Sequence, residues 1–142
     1  MLADNAGVAI WMDRGGKASV KLERSVIVDT RGAARSTAVA GLLAWSGTVD
    51  VRDTLLYGIP GTALAFGDAI GAVFGTTVSR GDVAFRFFGR SRTVAAVDSD
   101  QRPGAGEILS RDNVVVETTT PESEESLTVG DCRCEKGGGQ DR

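Results

Sequence analysis

The sequence predicts an all-β fold, a small sandwich or open barrel of about seven to nine strands. Apolar residues recur at every second position in most segments, and Gly, Asp and Arg separate those segments. Val, Ile, Thr and Phe supply the large side chains within them, as pleated, half-buried surfaces favour. At 142 residues the chain is long enough for one core without staples, and 42% hydrophobic with 25% charged residues is an ordinary globular balance.

In chain order, Val8, Ile10 and Met12 alternate, Gly15-Gly16 offers a turn, and Val20, Leu22, Val26 and Val28 resume the period. That pattern predicts a hairpin with a bulge at Arg24-Ser25. Residues 33–46 are alanine-rich, yet Thr37, Val39, Leu43 and Trp45 favour a strand. Val49, Val51, Leu55 and Tyr57 alternate against Asp50 and Arg52, which predicts a half-buried strand. Phe85 and Phe87 follow Arg80-Gly81 in phase, and a turn near Gly89 leads into Thr93 to Val97, a second expected hairpin. Residues 112–120 are expected to form a final strand. No internal repeat emerges from this reading. The expected organisation is a β-rich domain at 1–120 and a flexible acidic, glycine-rich tail at 121–142.

The stretch FGDAIGAVFG, residues 66–75, supports more than one conformation. As a helix it places Phe66, Ile70, Val73 and Phe74 on one face, with Gly67, Gly71, Gly75 and Asp68 opposite. This is the α+β alternative, with a helix at 61–75. Residues 58–78 would also reach across a bilayer core of about 30 Å. Asp68 near mid-span costs about 2.5–3.5 kcal/mol, which roughly cancels the gain from the apolar residues. As strands, the segment has a face of small residues that lets another sheet approach closely, with Phe66-Gly67-Asp68 as the turn between two short strands. The strand reading makes Gly67, Gly71 and Gly75 the candidate self-association residues.

Composition excludes several chemistries. The chain contains no histidine, which removes the Ser-His-Asp triad and His-ligated zinc. Neither G-x-x-x-x-G-K-[ST] nor G-x-G-x-x-G occurs, so the phosphate loops that those patterns build are missing. Residues 27–36 resemble the Asp-Thr-Gly loop of retroviral-type aspartic proteases, but Arg31 interrupts the motif and Asp29 reads as a turn residue. Arg80-Gly81-Asp82, a tripeptide that cell-adhesion ligands display, reads as turn chemistry. Cys132 and Cys134 offer two thiols, short of a zinc site, and no metal or cofactor is expected.

Charge is uneven. Residues 1–97 carry eleven bases and eight acids, and residues 98–142 carry five bases and eleven acids. Arg86, Arg90 and Arg92 lie among three phenylalanines, a composition suited to anion or partner contact. The absence of catalytic groups and the glycine-lined face together predict a non-enzymatic structural or assembly component, such as a subunit of a shell, fibre or virion-like particle. Such a chain acts as a homo-oligomer or within a larger protein assembly. A nucleic-acid or anion-binding module using Arg86, Arg90 and Arg92, and a membrane-associated protein using residues 58–78, are the alternatives. Asp4 stands where a secretion signal carries basic residues, and no apolar run of suitable length follows. Synthesis in a cytosol is therefore expected, with later incorporation into a particle.

Overall fold

The computed structural model describes every residue except Asp4, Gly16, Asp29, 31–38, Ser99 and 125–142. Thirteen strands and no helix occur among the described residues: β1 (Leu2–Ala3), β2 (Val8–Met12), β3 (Ser19–Glu23), β4 (Val26–Val28), β5 (Ala40–Ala44), β6 (Thr48–Arg52), β7 (Leu55–Tyr57), β8 (Thr62–Phe66), β9 (Ile70–Phe74), β10 (Thr77–Phe87), β11 (Arg92–Ala95), β12 (Glu107–Arg111) and β13 (Val114–Glu124). The fold is all-β as expected, but every strand pair is parallel. This corrects both hairpin expectations, because a hairpin joins antiparallel strands. Gly15 lies at a corner between β2 and β3, which pair with different neighbours in different sheets.

The architecture is a parallel solenoid, in which each circuit of the chain lays one strand on each of three faces. The first rung is β2, β3 and β4; the second is β5, β6 and β7; the third is β8, β9 and residues 77–79 of β10. The fourth is residues 83–87 of β10, then β12, then residues 114–116 of β13. β13 continues into a fifth rung, crossing the domain boundary expected at Thr120 and ending at Glu124, and β1 precedes the first rung on the third face. Long strands β10 and β13 turn a corner without losing their pairing, and this joins two faces into one eight-stranded sheet.

A repeat does exist, contrary to the sequence reading. Ala40 pairs with Thr62, Thr48 with Ile70, and Leu55 with Thr77, each 22 residues on. Elsewhere the spacing varies: Thr62 pairs with Val83, Ser19 with Thr48, and Gly71 with Ile108.

One corner explains the phase break at Arg24. Arg24, Asp53, Gly75 and Asp112 occupy the same place in successive rungs, and all have left-handed backbone, with φ between 48° and 60°. Each of the first three donates its N–H to the carbonyl one rung on: Arg24 to Arg52, Asp53 to Phe74 and Gly75 to Arg111. The next residue ties the turn back on itself, with Ser25, Thr54 and Thr76 hydroxyls donating to the carbonyls of Glu23, Arg52 and Phe74. The backbone bonds offset the cost of the left-handed turn, about 1–2 kcal/mol for a residue with a Cβ.

Inside, like residues stack along the axis. Ile27, Leu56 and Val78 form one column and Val51 and Val73 another, all at most 2% exposed. The rings of Phe66 and Phe87 stack with centroids 5.6 Å apart. Fully burying such a side chain contributes about 1.5–3 kcal/mol. All five positions of β8 are buried, so both faces of that strand are covered.

Between the fourth rung's first two strands the chain makes an excursion. β11 pairs with β12 on the side away from β9, so the chain must travel back from Ala96 to Glu107 before β12 can begin in parallel. Leu109, Ala72 and Phe74 form a small cluster outside the main core, with Val94 and Ala96 packed against it.

Candidate functional site: the two ends of the solenoid

The glycines named from the sequence are used inside the chain. Residues 61–75 form β8, a turn at Gly67-Asp68, and β9, which overturns the α+β alternative with its helix. A Cβ at Gly71 would fall on the carbonyl oxygen of Val49, and one at Gly75 would lie 2.5 Å from Asp53 Oδ1. At Gly67 it would meet the Phe88 ring and the Trp45 carbonyl oxygen, each at 2.9 Å. What lies against the small-residue face is a neighbouring rung of the same chain.

The three arginines do not converge on one feature. Arg86 Nε donates to Thr62 Oγ1 at 3.1 Å, and Arg92 pairs with Glu107 at 3.2 Å. Arg90 is exposed, with its backbone N–H donating to Asp68 Oδ1. Phe85 and Phe87 are core residues, 8% and 3% exposed. Arg80-Gly81-Asp82 turns the corner between the third and fourth rungs. Arg80 pairs with Glu117 and covers the Tyr57 ring, and its guanidinium is held above its ordinary pKa by the Glu117 hydrogen bond first and by Tyr57 next. Cys132, Cys134 and Asp29 lie outside the described residues. Among the described residues, no three His, Cys, Asp or Glu side chains gather as a metal site, and no helix is long and apolar enough to cross a membrane.

The features that the sequence reading did not single out are the solenoid's ends. Register carries three ladders through the first face. One runs Val8, Ala40, Thr62, Val83, Thr120; the next runs Ile10, Leu42, Leu64, Phe85, Glu122; the third runs Met12, Ala44, Phe66, Phe87, Glu124.

At the starting end β2 pairs only with β5, and β3 only with β6, so each has one unpaired edge among the described residues. β2 reads VAIWM, without a charge or a proline. Trp11 is 57% exposed, and Met1 and Leu2 at the chain start are exposed as well. Ile10, Val20 and Leu22 pack only partly against the core.

At the other end β13 pairs only with β10 among the described residues. Two of the three ladders, the two that are apolar through the first four rungs, end there in glutamate, and Pro121 stands in the strand between Thr120 and Glu122. Proline has no N–H to offer a further strand, and a charge ending an apolar ladder opposes continuation of the sheet. Glu122 is held by the Thr93 hydroxyl of β11 at 3.1 Å. Edge character was readable in Pro121 and the glutamates; what concealed it was the expectation of a tail beginning there.

No protein-family model, curated protein or solved structure matches the chain.

Proposed function

We propose that the protein is a non-enzymatic structural or assembly component, which meets a second copy through the first rung of its solenoid. The observation that carries this reading is the uncharged, unpaired edge of β2 with Trp11 57% exposed upon it. An edge of this kind offers backbone donors and acceptors to another strand, and large aromatics are favoured anchors at protein interfaces. Pairing first rung to first rung closes on itself, because the same patch serves both copies. The blunted last rung opposes open-ended growth, so the reading specifies an assembly of defined size.

The anion-binding alternative draws less support: Arg92 is neutralised by Glu107 and Arg86 leans on Thr62, leaving no converged basic surface of these three. The membrane alternative rested on residues 58–78 as a helix, and these residues form β8, β9 and the start of β10.

Size-exclusion chromatography with light scattering tests the assembly reading. The wild-type chain should elute at an integral multiple of its 14.8 kDa mass, and Trp11→Lys should return it to a monomer with an unchanged circular-dichroism spectrum. A wild-type chain that stays monomeric at high concentration overturns the proposal, as does a Trp11→Lys oligomer of unchanged mass.

A further inference from the structure

The corner that joins the first face to the second contains a cleft of about 440 Å³, lined by Arg14, Gly15, Trp45, Ser46, Asp68, Phe88 and Gly89. Each of the first four rungs contributes to it, so the site is made by the stacking itself. Its wall is aromatic: Trp45 and Phe88 meet edge to face at 4.7 Å, and the missing side chain of Gly67 makes room for the Phe88 ring.

Two charged groups face this wall. The Arg14 guanidinium lies over the Trp45 ring, 4.3 Å from its centroid. Asp68 Oδ1 accepts the backbone N–H of Arg90 at 2.9 Å, which fixes the carboxylate. Arg14 and Asp68 line one cleft, yet no ion pair joins them. An arginine has five N–H donors and a carboxylate about four acceptor sites, so both retain capacity for a ligand.

We propose that this corner binds a neutral saccharide. A pyranose ring offers adjacent hydroxyls that accept from a guanidinium fork while donating to a carboxylate, and an apolar C–H face suited to the part of half-buried Trp45 that Arg14 and Phe88 leave uncovered. One cation and one anion leave the pair neutral, which favours an uncharged ligand over a phosphate or a uronate. The cleft volume falls within the usual range for small-ligand sites, about 300–1,000 Å³. The proposal does not depend on self-assembly, because every residue that lines the cleft belongs to one chain.

The test is a ¹⁵N-resolved NMR titration of the full chain with four neutral hexasaccharides, a β-1,4-glucan, an α-1,4-glucan, a β-1,3-glucan and a β-1,4-xylan, each up to about 10 mM, where even weak sites fill. At least one should move the amides of Ser46, Gly89 and Arg90 saturably. Asp68→Asn keeps an acceptor for Arg90 and should weaken that binding by about tenfold or more. Arg14→Lys, which keeps the charge but loses the planar fork, should weaken it as well. Arg111→Gln, outside the cleft, should bind as the wild type does. The proposal is overturned if none of the four sugars moves these amides, or if Asp68→Asn and Arg14→Lys both bind at wild-type strength.

Discussion

The first and last rungs are built on the same backbone ladders and finish them in opposite ways. β2 sets Val8, Ile10 and Met12 at the start of the three ladders, whereas β13 sets Thr120, Glu122 and Glu124 at the matching register positions. The backbone hydrogen-bonding potential at the two edges is comparable, so the difference lies in residue type and in one missing N–H at Pro121. An open edge and a closed one can therefore be made from one fold by substituting a few residues on a single strand.

The largest effect should come from erasing that difference. Pro121→Val with Glu122→Val restores the donor and one apolar ladder, and should convert a discrete species into open-ended oligomers seen as a rise in scattered mass. If the double variant keeps the wild-type mass, the last rung is not held shut by these two residues. Next in size is a change in an interior rung, where neither edge is involved. Gly71→Ala drives a methyl into the Val49 carbonyl and should cost about 3 kcal/mol in urea denaturation. A smaller loss would mean that the rungs can separate locally, and would weaken the contrast between rigid middle and specialised ends.

A milder change sharpens the account of the closing end. Asn113 donates to the Val73 carbonyl at 2.8 Å and to Ser110 Oγ at 2.9 Å, and accepts the Thr76 N–H at 2.9 Å. It ties the fourth rung to the third at one corner, where Ser25 and Thr54 make only local turns. Asn113→Ala should cost about 2 kcal/mol by the same measurement, since buried polar groups lose their partners.

Much of the strand content was legible because alternation is a local property. Val49 and Val51, or Phe85 and Phe87, announce a strand wherever the chain takes them. Partner and direction are not local, and both expected hairpins failed on that point. The repeat was hidden by unequal insertions: the 22-residue spacing links only the second and third rungs on all three faces, so no period accumulates. Gly67, Gly71 and Gly75 lie where a Cβ would meet atoms of the same chain, and a sequence cannot say whether the guest on a small-residue face is another molecule or the same chain one rung away. The corner cleft was invisible for a related reason. Arg14, Trp45, Asp68 and Phe88 are far apart in sequence and meet only because each follows the first-face strand of its own rung.

β11 also constrains the order in which the molecule can be completed. It leaves the ribosome before β12, yet β12 is its only sheet neighbour among the described residues. A nascent chain that has reached Ala95 has made a strand with no ladder to join. The excursion must wait, unpaired, until residues 107–111 emerge and settle against β9. Translation order and docking order are thus reversed for this one segment, and residues 92–95 and 107–111 should gain protection from hydrogen exchange as a unit.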